Sequence, residues 1–376
     1  MLVISFQFYK SFNSNFLDRA AGKHSFSIVN YELRNIPLKW THLIWSKFPG
    51  NQTSKSEIKK ITSDYFDLAY TINNMNQYSN KTKEIKQLII QKELLKARTE
   101  QHIETTINKI ALEQGLGIFS SILFPPVDIK LGQPPGIIIT SPRNEINMLQ
   151  TKLVKGGLSW RTKESIEFNI ESSENLSALV DSLSGLGTYP ALVSDIYDLN
   201  MVLQTASHEW LHNYWIFKPL GRNMWDSDEM YILNESAANL AGNELGNQAY
   251  KIIGIPIDDN IKPNTNLYIE KTLRETRIRV DSYLVAGEIK IAEAYMETQK
   301  NKINDQGYSI RKLNQAYFAF RGNYADSPSS TSPIWDQLVE FRSYCNSIGE
   351  FILKISGIHS YKDFEVLLEK HHLKNS

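Results

Sequence analysis

Apolar residues recur at helical spacing over most of this chain. Residues 55–77 and 81–114 both carry the pattern. In the second of them Ile85, Leu88, Ile89, Leu94, Leu95, Ile103, Ile107 and Ile110 fall where a helix hairpin or short coiled coil would use them, with the intervening charges on a solvated face. Gly115, Gly117, Pro125, Pro126, Gly132, Pro134 and Pro135 then punctuate the chain. Such breakers predict a boundary near residue 118, dividing a helical region 1–117 from a second region 118–376. Short runs at 135–140 and 165–169 read as strands. So does 185–193, which Pro190 confines to a sheet edge or bulge. Farther on, a helical stretch from Asn266 to about Asn304 is interrupted near Gly287, another helix starts at Ser309, and 326–333 reads as a plain loop. His359, His371 and His372 fall where a disordered tail is expected.

The clearest helix starts after Asp198, a residue whose carboxylate suits an N-cap. Leu199, Val202, Leu203, Ala206, Trp210 and Leu211 follow at helical spacing, which predicts a largely buried helix ending at residues 218–221. A second helix is expected from Asp228 to Glu244. The loop between them lets it fold back on the first, and Ala237, Ala238, Ala241 and Gly242 are small enough to let the two backbones approach closely.

These two helices carry the candidate chemistry. The first contains His208-Glu209-Trp210-Leu211-His212, the pattern H-E-x-x-H. On a helix, two imidazoles four residues apart share one face and reach one metal ion, with the intervening carboxylate beside it. The second supplies Glu235, 23 positions after His212, as a third ligand. Glu244 is the rival, but nine residues at about 100° each put it on the opposite face. Asn239 lies one turn beyond Glu235 and is expected to hold a ligating imidazole by its other nitrogen. A single zinc ion (Zn2+) on His208, His212 and Glu235 would activate water, with Glu209 as the general base. Tyr317, and after it Arg321, are expected to stabilise the oxyanion, with Tyr231 as a rival.

The H-E-x-x-H helix followed by a helix bearing a Glu resembles the gluzincins, the thermolysin-like clan of zinc peptidases. The resemblance covers about 60 residues, 186–245. The Thr188-Tyr189-Pro190 run and Asn234-Glu235-Ser236 also look like a group of bacterial metallopeptidase-like proteins. The resemblance implies an α+β, mostly helical fold in which a small twisted sheet packs on the motif helix. It also implies a peptide or protein substrate that adds as a strand beside that helix, which makes Gly187, Thr188 and Tyr189 candidate substrate contacts. Where thermolysin-type enzymes commonly have E-x-x-x-D, this chain has Glu235 and Asn239, leaving a neutral group behind the metal.

Composition narrows the picture. Lys plus Arg and Asp plus Glu are both 41 in 376 residues, and a zero balance argues against nucleic acid as partner. With Cys345 the single cysteine, a cysteine zinc cage is excluded; Cys345 itself is expected to be a small buried apolar residue. No segment has the apolar length of a membrane span, and residues 1–8 lack a signal-peptide pattern. A cytoplasmic location is therefore expected, with peripheral membrane association open. Oligomeric state is equally open. Two other readings compete with the peptidase: a zinc-stabilised interaction protein without catalysis, and a zinc hydrolase of a non-peptide amide.

Overall fold

The computed structural model describes residues 15–35, 54–78, 82–118, 121–255 and 267–375. The apolar opening at residues 1–8 and the expected helix start at Asn266 lie outside them. Two short helices, α1 (Asn15–Ala21) and α2 (residues 28–35), precede the hairpin of α3 (Lys55–Tyr78) and α4 (Thr82–Glu113). Strands β1 (Ile129–Gly132), β2 (Gly136–Pro142) and β3 (Gln150–Val154) lead to α5 (Trp160–Glu174) and β4 (Leu176–Ser182). The expected strand at 165–169 is thus part of a helix. Ser159 caps that helix on the Thr162 amide, and Asn175 closes it in the left-handed conformation, at φ 51°.

The expected extended run 185–193 is two strands, β5 (Gly185–Leu186) and β6 (Ala191–Ser194), paired antiparallel around a turn with a cis Tyr189–Pro190 bond. They belong to a three-stranded sheet, β1-β6-β5, with β1 parallel to β6; the order β3-β2-β4 makes a separate antiparallel sheet. The fold is α+β and mostly helical. Two small sheets stand where one was expected, and it is β5 and β6 that pack against the motif helix.

That helix, α6 (Leu199–Trp215), is capped by the Asp198 side chain on the Met201 amide. It is followed by the single turn α7 (Pro219–Arg222) and by α8 (Asp228–Ile253), whose N-cap is Ser227. Helices α6 and α8 form the most extensive helix pair, because small residues line their seam. A Cβ on Gly242 would lie 2.9 Å from the His208 backbone nitrogen, and one on Gly246 2.5 Å from the Gln204 Cα. Next come α9 (Leu267–Val285) and α10 (Ile289–Asp305), which pack on one another, and the short α11 (Gln315–Arg321). The helix expected from Ser309 begins only at Gln315. Asn314 spends its carboxamide on the Tyr317 amide as an N-cap and on the Ala178 carbonyl, and Arg311 is drawn aside to Glu167 at 2.5 Å.

The chain closes with α12 (Ile334–Ser343), α13 (Ile348–Ser356) and α14 (Tyr361–Asn375). The tail is therefore ordered where disorder was expected: His371 stacks on Tyr344 at 6.1 Å, and His372 reaches Glu340 at 3.1 Å. Cys345 is buried, with its thiol on the Phe341 carbonyl. The largest cluster of buried side chains runs from Tyr65, Ile103 and Ile107 through Trp210 and Leu233 to Phe351 and Phe364. Packing is continuous across residue 118, which marks a change from helix to strand rather than a gap in the core.

Both sheets have a strand edge closed by a helix in the same way. Glu104 and Glu100, one turn apart on α4, accept the amides of Ile129 and Leu131 in β1 at 2.9 and 2.8 Å. Glu171 and Glu167, one turn apart on α5, accept those of Ala178 and Val180 in β4 at 3.1 and 2.6 Å. Carboxylates thus replace the missing neighbour strand. On β3, the Phe26 amide donates to Leu153 and the Lys155 amide to His24, so residues 24–26 cover that edge.

Candidate metal centre

Helical periodicity on α6 and the fold-back of α8 bring three side chains to a point. His212 Nε2 lies 2.9 Å from His208 Nε2, and Glu235 Oε2 lies 3.6 and 3.7 Å from the two. Two ligands bound tetrahedrally to zinc at about 2.1 Å stand about 3.4 Å apart, so these separations bracket what one ion requires. His212 and Glu235 are buried and His208 nearly so, and among the described residues no other group of His, Cys, Asp and Glu side chains was found that could hold a metal. An N,N,O donor set at this spacing fits zinc. Burial pushes the Glu235 carboxyl up, but His212 and His208 more than offset it and hold the group well below its usual range.

Neighbouring residues of α8 anchor this ligand. Asn234 donates to the Leu220 carbonyl, and the Ser236 hydroxyl accepts the Ala325 amide at 2.9 Å. The rival Glu244 is engaged elsewhere, in a bidentate pair with Arg342 at 2.8 and 3.0 Å. Asn239 does not do what was expected of it. Its Nδ2 donates to both carboxylate oxygens of Asp326 at 3.0 and 3.2 Å, while Nδ1 of His208 and of His212 is buried with no partner among the described residues. The hydrogen bonds of the two rings are made at Nε2, with one another and with Glu235.

Glu209 points with His208 into a cleft of about 420 Å³. Burial, reinforced by Glu235 and opposed by His208, raises its carboxyl to about 7. Gly185 in β5 lies directly against it, and a Cβ there would collide with the carboxylate. The 182–185 stretch lines the cleft, whereas the expected contacts 187–189 do not. Thr188 is fully buried, its hydroxyl bonded to the Leu186 and Pro190 carbonyls. The Thr188 carbonyl accepts from Asn213 on α6, and the Tyr189 hydroxyl donates to Pro126. Thr188 thus ties the turn after β5 to the motif helix and Tyr189 ties it to Pro126, and Gly187 lies in the same turn without lining the cleft.

The expected oxyanion groups are divided. Arg321 lines the cleft but is paired with Asp181 at 2.7 Å. Tyr317 packs among the apolar side chains around α9 and α10 and does not line the cleft, and Tyr231 is packed on Trp225 at 4.9 Å. The residue missed in the sequence is Tyr324, which lines the cleft. Burial first, then the charge of Glu235 and the proximity of Tyr231 and Glu209, pushes its phenol well above 10, so it stays a proton donor. The loop that carries Tyr324 and Asp326 hangs from Ser236 through the Ala325 amide between them. That tie spans 89 positions of sequence, and no local pattern signals it.

Among the described residues no helix is long and apolar enough to cross a membrane. Compared with models of protein families, with curated sequences and with solved structures, the chain matches none.

Proposed function

We propose that this protein is a zinc-dependent hydrolase of peptide bonds, similar in its site to the gluzincins. One observation carries the reading: three ligand atoms converge at metal spacing, and the site opens, through His208 and Glu209, into a cleft. A structural zinc site is closed by four protein ligands, and a hydrolytic one keeps a position free. His208, His212 and Glu235 would hold the ion. When bound, zinc makes water acidic near neutral pH and polarises a carbonyl.

The chain's own residues supply the rest. Glu209, with a carboxyl near 7, is suited to take a proton from water and return it to the leaving amine. Gly185 leaves the room that carboxylate needs. Tyr324, which lines the cleft on a loop tied to Ser236, brings a neutral phenol suited to the oxygen on which charge develops. Of the strand edges, those of β1, β3 and β4 are covered, while β5 borders the cleft. A peptide adding beside 182–186 would lie across Glu209, which supports an extended peptide as the substrate.

The test pairs elemental analysis with digestion of a peptide library, using a chelator as control. Glu209→Gln is expected to retain one equivalent of zinc and lose about 10² to 10⁴ of the turnover. Native turnover in that variant, or no zinc in the parent protein, would overturn the assignment.

A further inference from the structure

Exposed apolar side chains occur on many elements of this protein, as on any globular surface, but four of them stand together at one place. Ile118 and Ile122, which follow α4, are bridged backbone to backbone, and close beyond them Phe124 lies against Phe217 from the C-terminal end of α6, ring centroids 5.5 Å apart. All four are exposed, Ile122 by 61%. The chain holds them out instead of folding them in. Leu116 and Leu123 on either side are sunk in the main core, and the Trp210 indole donates to the Pro125 carbonyl at 2.9 Å. Ile118 and Ile122 exchange both amide–carbonyl hydrogen bonds, at 2.6 and 3.2 Å. Apolar side chains on a backbone that satisfies itself suit hydrocarbon, where an unpaired amide or carbonyl finds no water.

The rim carries the complementary chemistry. Tyr214 packs on Trp210 at 5.3 Å, and the Lys218 ammonium lies over the Tyr214 ring at 5.5 Å, so this cation stands beside Phe217 and the Phe124–Pro125 segment. Arg222, at the end of α7, is exposed, and neither it nor Lys218 makes an ion pair among the described residues. Cations without counter-ions next to exposed aromatic and aliphatic side chains combine the two attractions that hold a protein on a charged bilayer.

We propose that Ile118, Ile122, Phe124 and Phe217, with Lys218 and Arg222 at their edge, dock this protein on an anionic lipid surface, the apolar side chains entering the outer acyl layer and the cations meeting headgroup phosphates. The size of the patch favours lipid over a second copy of the chain. Four half-exposed side chains at roughly 100 Å² each offer about 400 Å², half of what a stable dimer takes from each partner. The face is also separate from the candidate metal centre. Residues of α6 from Met201 to Glu209 line the cleft, and Phe217 lies past the last residue of that helix.

Sedimentation with vesicles tests this. Full-length protein is mixed with vesicles of phosphatidylcholine alone, or of phosphatidylcholine with about one quarter phosphatidylglycerol. The anionic vesicles should bind it roughly ten-fold more tightly than the neutral ones, and Ile122→Asp and Phe217→Asp should each weaken that binding roughly ten-fold. Because Ile122 and Phe217 are exposed, unfolding midpoints of both variants should stay near that of the parent. Lys218→Gln combined with Arg222→Gln should remove the preference for anionic vesicles. Phe168→Asp, which changes an equally exposed side chain on α5, should bind as the parent does. No binding to either vesicle, binding that survives Ile122→Asp, or an equal loss in Phe168→Asp would overturn the inference. So would a dimer in sedimentation velocity that Ile122→Asp dissolves, because it would give this face to a second copy.

Discussion

Gly185 shows how much one residue can decide in this site. Its backbone lies against the Glu209 carboxylate, in space that any side chain would take. Gly185→Ala should therefore turn Glu209 away and cut turnover by about 10² or more, with zinc content and unfolding midpoint near those of the parent. Parent-like activity would show that Glu209 does not depend on that space. Glu32 offers a second test at this scale. It is fully buried, accepts the Tyr189 amide with one oxygen and leaves the other unpartnered. Burial, partly opposed by that amide, raises its carboxyl from about 4.5 to about 7. The folded state then binds more protons than the unfolded one between these values. The stability this contributes is full below about pH 4.5 and is lost as pH rises through about 7. Glu32→Gln should flatten that part of the decline in urea midpoints across this window; an unchanged slope would refute the assignment.

Among elements, the seam of α6 and α8 is what brings the three candidate ligands of two helices together. Gly242 touches the backbone of the ligand His208, and Gly246 touches Gln204 one turn away. Gly242→Ala forces the helices apart at the ligands. It should cost about 1–3 kcal/mol in denaturant unfolding and lower zinc affinity in a chelator competition. Gly246→Ala should cost a similar amount of stability with less effect on zinc. Equal losses of affinity from both would mean that spacing at His208 is not special. The small-residue run was visible in the chain as a sign of close approach. That α5 would be a helix was not: residues 165–169 look like a strand locally, but Glu167 and Glu171 must sit one turn apart to reach alternate amides of β4. Tertiary demand overrode local preference there.

Across the whole molecule, the N-terminal hairpin is fastened to the part that carries the candidate metal centre by a buried polar knot. Asp195, just past β6, accepts from Tyr65 at 2.6 Å on α3 and from Lys92 at 2.8 Å on α4. Lys92 and Asp195 are both largely buried, with 15% and 8% of their side chains exposed. Removing one member leaves the other charge uncompensated, so Asp195→Ala should cost about 3–5 kcal/mol in chemical denaturation. A loss below 1 kcal/mol would show that the apolar contacts of Ile103 and Ile107 hold the hairpin unaided.

The sequence by itself determined the motif helix, its Asp198 cap, the fold-back of α8 and the choice of Glu235 over Glu244. These follow from periodicity and spacing within a few turns, which the chain carries locally. Only the tertiary structure decided that Asn239 serves Asp326 rather than an imidazole, that Thr188 and Tyr189 are clamps, and that Tyr324 rather than Tyr317 borders the cleft. Each of these turns on a contact between segments 25 to 89 positions apart, such as Ser236 with Ala325, Asn239 with Asp326 or Asn213 with Thr188. The partner of a polar side chain at that range is set by how the core packs, and no local pattern encodes it.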